Sequence, residues 1–300
     1  MIVVTGASSV ALGPSDPPTL DPSAHLRSKK TRKFMGTQDD LAVLAAAQAL
    51  AQAGLTADAL GERAGLFAVV GYIPFNREDI DPVLADSLDD ERFSMVRFSS
   101  GGFQRAHPLL TFRCLPNMPA FHVSANFNVQ GPYFVSYPGV GQMYAALEEA
   151  CVELEHGRID VAVAFGVAHQ RNFLVQHHFS RIEPPVAEGT LWDAGACLIL
   201  ERAEHAAQRG ARARAELVEL AQRYTPHSAI SEQVPQREQA SGARLPDGAR
   251  GPASLFALLA DALAAGSAGE IVHTVDTRDH VSAHSRWRVL PPLRVFPRVP

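Results

Sequence analysis

The side chains able to do covalent chemistry in this chain are few and scattered. Its three cysteines, Cys114, Cys151 and Cys197, are odd in number and far apart. None belongs to a Cys-x-x-Cys pair, which fits buried reduced thiols rather than a disulfide frame or a zinc site. His169, His177 and His178 lack the His-Glu-x-x-His spacing and a neighbouring acidic ligand, so no metal site is expected. His122, within FHVSANF, reads as a hydrogen-bonded interior residue. The segment Thr5 to Gly13, TGASSVALG, has the look of a glycine-rich dinucleotide turn after a strand. A hydride-transferring enzyme of that design would set a lysine four residues after a tyrosine, but Tyr144 is followed at that spacing by Glu148. All the lysines, Lys29, Lys30 and Lys33, fall in one short segment, which excludes any mechanism needing a lysine further along.

The bulk composition narrows the partners. With 300 residues, 46% hydrophobic, 20% charged and a net charge of −5, the chain is an ordinary globular protein with nothing that would attract nucleic acid or an anionic membrane. No apolar run reaches the roughly 18 to 20 residues of a membrane helix, since Gln48 and Gln52 interrupt the alanine-rich stretch from Leu41 to Leu55. The opening MIVVTGASSV has no basic residues ahead of its apolar ones. It reads as a first strand rather than an export signal, and a cytoplasmic location is expected.

Strands and helices alternate over most of the sequence, which argues for a layered α/β protein. MIVVTGAS is a strand ending in a glycine turn, followed by a proline-rich loop from Gly13 to Ser23. A helix is expected over Asp39 to Ala53, stopped by Gly54, and a buried strand at Leu66 to Gly71. Residues 76 to 106 read as a polar surface excursion containing one helix. Pro132 to Tyr137, PYFVSY, is a strand rich in aromatic and branched residues. Val140, Met143, Leu147, Cys151 and Leu154 recur at spacings of three or four, so Val140 to His156 is an amphipathic helix. Buried strands follow from Val161 and at Ala196 to Glu201. A polar stretch from Thr225 to Ala249 is expected to separate this body from a tail with one helix, Ala253 to Ala265, and two strands, Ile271 to Val275 and Trp287 to Leu290. The terminal PPLRVFPRVP is read as a strap or a disordered end.

The most specific signal runs from Pro116 to Ala211: PNMPAFHVSANFNVQGPYFVSYPGVG, a helix, ELEHGRIDVAVAFGV, then GTLWDAGACLILERAEHAAQRGA. In order and spacing these motifs resemble the β-ketoacyl synthase branch of the thiolase fold. That family reads P-N-M-x-x-x-H, G-P-x-x-x-x-x-T-A-C, a helix, G-x-x-D-x-x-x-A-G, and G-x-G-A-G-x-L-V-L-E-x-x-x-H-A-x-x-R-G-A. The earlier RKFMGTQDDLAVLAAAQALAQAGL resembles its first helix. The resemblance implies a thiolase-like layered αβαβα fold with a ketosynthase-like half over residues 1–210 and a shortened C-terminal half over 211–300.

The departures matter as much as the matches. In the family a cysteine opens a buried helix whose N-terminal dipole favours the thiolate that takes the acyl chain. Counting from Gly131 and Pro132, the cysteine position is the tenth, which here is Val140; Gly157 and Asp160 beyond the helix keep the register. Cys151 lies far along the same helix, about 16 Å away at ~1.5 Å per residue. Gln142 resembles the glutamine that replaces cysteine in some chain-length and decarboxylating subunits, two positions late. The later family motifs, N/E-A-H-G-T, the Gly-Phe-Gly-Gly turn and a lysine before Gly-His, do not occur between Arg212 and Pro300. GARGPASLFALLADALAAG is similar to the family's G-H-L-x-G-A-A-G helix without its histidine and lysine.

By that resemblance the chain is expected to be a chain-length factor of the shortened polyene-system type, the non-catalytic half of a type II polyketide ketosynthase heterodimer. Its implied partners are a full-length ketosynthase and an acyl carrier protein whose phosphopantetheine arm carries the substrate, with no cofactor or metal of its own. The implied interface is the strand Pro132, Tyr133, Phe134, Val135, Ser136 and Tyr137, together with Phe112 and Phe121. Counting from Gly71, Pro74 and Phe75 are the implied gate of the acyl tunnel. Two alternatives stay open: a divergent enzyme of the same fold, a malonyl decarboxylase or acyltransferase using Ser136 or Gln142, and a non-catalytic homodimeric binding protein.

Overall fold

The computed structural model describes residues 1–182, 185–225, 237–241, 243–244, 249–266, 268–277 and 280–291. The first half alternates as expected. Strand β1 (Ile2–Leu12) leads to α1 (Thr37–Ala53) and β2 (Ala64–Val70). The polar excursion holds α2 (Arg77–Ala85), a short hairpin of β3 (Leu88–Asp89) and β4 (Arg92–Phe93), and α3 (Met95–Ser100), more structure than one helix. Then come α4 (Leu110–Cys114), α5 (Met118–Phe127), β5 (Tyr133–Ser136), α6 (Gln142–Glu155), β6 (Val161–Ala168), α7 (Phe173–Arg181), β7 (Asp193–Arg202) and α8 (Ala203–Gln208). The second half comprises β8 (Ala215–Tyr224), β9 (Arg237–Ala240), β10 (Ala243–Arg244), α9 (Ser254–Ala264), β11 (Gly269–Asp276) and β12 (Val281–Val289).

Among the described residues ten strands form one sheet in the order β10-β9-β11-β12-β8-β1-β7-β6-β2-β5. β2 runs parallel to both β5 and β6, and the remaining pairings are antiparallel. Val3 paired with Glu216 and Val4 with Ala215 join the halves. Every residue of β2 and β6 is buried, because both faces are covered by helices. Alternate residues divide between the two faces. Leu66, Val163, Phe165 and Ile199 pack against α1 and α5, whereas Phe67, Val69, Ala164 and Leu198 pack against α6 and α9. Trp287, Val275 and Ala283 from the second half close over the far side of α6 and α9.

The layers are thus helix, sheet, helix, sheet, the thiolase-like stack with a shortened second half. Among the described residues no helix covers the outer face of the second half. That face is polar instead: Arg288 pairs with Glu216 at 2.8 Å, and Glu219 takes His284 at 2.9 Å and Arg286 at 3.2 Å. No described helix is long and apolar enough to cross a membrane.

Three expectations need correction. The glycine at position 6 makes no turn: β1 continues to Leu12, and Gly6 sits at a register shift where a Cβ would stand 2.1 Å from the Ala49 carbonyl. Its bare backbone lets α1 lie close on the strand, and TGASSVALG is sheet rather than a cofactor loop. The stretch 225–249 does not part body from tail, since β8 before it and β9 within it belong to the common sheet. Residues 226–236, 242 and 245–248 of this stretch lie outside the described residues; in β9 the residues alternate, Arg237 and Gln239 exposed and Glu238 and Ala240 buried. The tail strand expected at Trp287 to Leu290 begins earlier, at Val281. Residues 292–300 of the terminal proline-rich segment lie outside the described residues.

Close approach of backbone also fixes Gly166 in β6, where an added Cβ would stand 1.9 Å from the Pro252 carbonyl. Gly166→Ala is therefore expected to destabilise the protein by about 3 kcal/mol, at the upper end of what overpacking costs. Gly189→Ala, which meets nothing within 4 Å, should leave the midpoint unchanged. Chemical denaturation of the two variants beside the wild type measures the difference.

Candidate functional site

The site is built around the turn from β5 into α6. Val140, at the family's nucleophile position, is 5% exposed and belongs to the apolar core. It has no atom that could attack a thioester. Thr277 and Val281, from the end of β11 and the start of β12, pack against the next residue: at Gly141 a Cβ would meet Thr277 Cγ2 at 2.9 Å and Val281 Cβ at 3.2 Å. Beside it the Ser136 hydroxyl donates to Gln142 Oε1 at 2.6 Å, so this hydroxyl faces an amide oxygen rather than a base.

The thiols are no better placed. Burial pushes the Cys151 thiol up to about 12, with Glu155 and Glu148 adding to it, and burial with Asp79 raises Cys114 to about 11. Cys197 is fully buried and raised as well. Cys114 and Cys151 are only half-buried, contrary to expectation. His122 is interior as expected, but among the described residues neither ring nitrogen has a hydrogen-bond partner, and burial holds its pKa down near 4. His169 does have an acidic neighbour, distant in sequence: Nδ1 lies 3.0 Å from Asp193 Oδ1, off the line of a hydrogen bond.

The motif letters that carry the resemblance turn out to hold the scaffold. In LILERAEHAAQRGA the buried Glu201 carboxylate accepts from Arg209 at 2.5 and 2.7 Å and from Thr5 at 2.5 Å, and His205 Nδ1 lies 2.7 Å away. These partners keep it well below the usual carboxylate range despite burial. Asp193 does the same at the opposite end of β7, accepting from the Arg171 backbone at 2.9 Å and its Nε at 2.8 Å.

The turn after β2 holds the two gate candidates, both half-buried. The Pro74 carbonyl accepts weakly from the Cys114 thiol at 3.7 Å, and the Phe75 carbonyl accepts from Asn172 Nδ2 at 2.7 Å. Gln38 anchors the base of the turn, donating to Tyr72 O and accepting from Gly71 N, each at 3.0 Å. Asp39, in the first turn of α1, receives the Gly36 N–H at 2.6 Å and is almost fully buried, with Oδ1 unpartnered among the described residues. Asn172 and the burial of Asp39 carry no local signal, because the groups that surround them lie on other elements.

β5 pairs with β2 and ends the sheet among the described strands. Tyr133 is 77% exposed, Tyr137 and Pro132 are exposed, and Phe134, Val135 and Ser136 are half-buried. Phe121, 52% exposed, joins Tyr133 and Val135 around a cavity of about 280 Å³ floored by Leu66, Ala120 and Val129. Phe112 stands apart, edge-on to Phe34 with ring centroids 5.4 Å apart. Lys29, Lys30 and Lys33 are exposed on the short 3₁₀ helix Lys29–Phe34 beside it.

Burial pushes the carboxyls of Asp39 to about 8 and Asp40 to about 7, the latter against its 2.8 Å ion pair with Arg32. An unfolded Asp39 releases its proton near 3.8, whereas the folded one keeps it to about 8, so the unfolded chain binds fewer protons and stability falls as pH rises across that interval. Asp39→Asn should therefore gain on the wild type steadily from about pH 4 to about pH 8. Paired denaturation curves across that range check it; a constant difference would contradict it.

Comparison with known proteins agrees with this geometry. The sequence model of the β-ketoacyl synthase N-terminal domain matches residues 5–206. Among solved structures, a complex described as AntDE:AntF, a type II polyketide synthase acyl carrier protein with its ketosynthase bound to the hexaketide, gives a TM-score of 0.71 at 12% identity over 96% of this chain and 99% of that one. The ishigamide ketosynthase/chain length factor gives 0.65 at 16% identity with the same coverage, and a β-ketoacyl synthase from Burkholderia phymatum STM815 gives 0.67 at 15%, again covering 96% and 99%. At such identities the likeness is one of fold. No curated protein sequence matches. The sequence match over nearly the whole first half, on the fold just described, makes this chain a member of the β-ketoacyl synthase family.

Proposed function

We propose that the chain is a chain-length factor, the non-catalytic partner of an active β-ketoacyl-[acyl carrier protein] synthase in type II polyketide biosynthesis, of the polyene-forming kind. The observation that carries the reading is the filled nucleophile position: Val140 is buried in the apolar core, and Thr277 and Val281 pack against the next residue, Gly141. The Ser136 and Gln142 pair offers no base, which weighs against a divergent acyltransferase. The fold likeness to a ketosynthase/chain length factor supports the same reading. The chain works in the cytoplasm and needs no cofactor of its own, the acyl groups arriving on the phosphopantetheine of a carrier protein. Exposed Lys29, Lys30 and Lys33, clustered on a chain of net charge −5, suit an acidic carrier surface.

The partner synthase extends the sheet across β5, covering Tyr133, Tyr137 and Phe121. An unpaired edge with exposed aromatics is a liability for a monomer. Expressed alone the chain should be poorly soluble; with its synthase it should elute as a 1:1 complex burying well over ~2,000 Å². Incubated with acylated carrier protein, that complex should show by intact mass spectrometry an acyl group on the synthase and none on this chain. A stable monomer, or stoichiometric acylation near Val140, would overturn the reading.

Phe75 bounds the tunnel in this proposal. Phe75→Ala removes a ring from a close-packed wall and opens room for methylene-sized units. Products of the reconstituted complex should lengthen by one or more two-carbon units while turnover stays measurable. A length shift on changing Phe98, Phe103 or Phe112 instead would move the gate there.

A further inference from the structure

The turn that carries Phe75 is gripped from a direction that no local pattern of residues indicates. After Gly71, whose amide is shared between the Val167 carbonyl at 2.7 Å and Gln38 Oε1 at 3.0 Å, the chain leaves the sheet and is met by α7. Tyr72 lies against His178 with ring centroids 4.6 Å apart and edge-on to Phe179 at 6.0 Å. Arg77, just past the turn, stacks over the Phe173 ring at 4.5 Å. The centre of this contact is Asn172, 5% exposed. Its Oδ1 accepts the Leu174 N–H at 3.1 Å and so caps α7, while its Nδ2 donates to the Phe75 carbonyl at 2.7 Å. One carboxamide thus joins the start of α7 to the backbone of the gate residue. Arg171, the residue before it, is fixed in turn by Asp193 and by the carbonyls of Gly13 and Asp16 at 2.6 and 2.7 Å. Asn172 therefore stands on a rigid base.

We propose that Asn172 is a specificity-determining positioning residue: by holding the Phe75 carbonyl it fixes where the Phe75 ring stands, so that product length is set jointly by the turn after β2 and by α7. The inference rests on the chain-length reading above. A carboxamide is required because the two jobs need one acceptor and one donor on the same short side chain. Aspartate keeps the cap and loses the grip, setting an oxygen against the Phe75 carbonyl.

The test reconstitutes the heterodimer with Asn172→Asp and, separately, Phe75→Ala, and reads product length and total turnover. Asn172→Asp is expected to shift length by at least one two-carbon unit, in the same sense as Phe75→Ala, with turnover changing far less. A shift with Phe75→Ala but none with Asn172→Asp overturns the inference and leaves the chain-length reading standing. No shift with either removes the gate itself, and the inference with it. If Asn172→Asp does not assemble, Asn172→Ser carries the same expectation, since a serine hydroxyl caps α7 but is too short to reach Phe75. Amide exchange at residues 71 to 77 in the assembled complex adds a second readout: faster exchange in either Asn172 variant supports the grip, and unchanged protection contradicts it.

Discussion

Helix α6 is held between the two halves of the sheet, and the bond that fixes its depth is made by one phenol. Tyr144 Oη donates to the His273 carbonyl at 2.9 Å and lies 2.7 Å from His273 Nδ1, while His273 Nε2 lies 2.8 Å from Glu238 Oε1. Trp287 donates to Ser285 at 3.0 Å within the same pocket of the core. All these groups are buried, and burial pushes the tyrosine pKa up, so the phenol stays protonated and available as a donor. Such a network is worth keeping only when complete, because removing one partner strands a buried polar group at a cost of about 1–3 kcal/mol. Glu238 makes the point: its second oxygen has no partner among the described residues, so His273 is what justifies its presence in the core. The position of Val140, one turn ahead of Tyr144, follows from this lock.

The ends of the sandwich are tied by charge rather than by apolar contact. Glu201 and Asp193 sit at opposite ends of β7, each buried and each met by arginine. The first draws α8 down onto β1 through Thr5, and the second draws the loop after β1 toward α7 through Arg171. Residues that in sequence carry the family resemblance, Asp193, Glu201, His205 and Arg209, close the corners of the fold. Each corner is sensitive to either partner, since a buried carboxylate that loses its arginine is heavily penalised.

How much of this is legible in the sequence follows from the range of the interactions involved. Helix α6 can be read because its apolar residues recur at three and four, α1 and α9 because alanine and leucine dominate them, and β2, β6 and β7 because each is a short unbroken apolar run; the spacing from Gly131 to Asp160 leaves no room for a slip. β8 and β9 cannot, since Glu216, Glu219 and Gln239 dilute the apolar alternation to a polar string. Gly6 misleads because a glycine that admits a helix backbone looks, in one dimension, like a glycine that makes a turn. His122 misleads in the other direction: its neighbours in sequence promise a partner that the packing of α5 does not provide. Asn172 is out of reach altogether, because its second partner, Phe75, is brought beside it only by the parallel pairing of β2 with β6.

The two ends of the ten-stranded sheet are unequal. β5 presents four residues of open backbone flanked by tyrosines, whereas the other border, β10, is two residues long. A strand so short offers little for another chain to add to. Among the described strands, then, the longer open border is β5, the side on which a neighbouring strand has most backbone to meet. An assembly that grows by strand addition needs two adhesive borders, and the described strands present one of useful length.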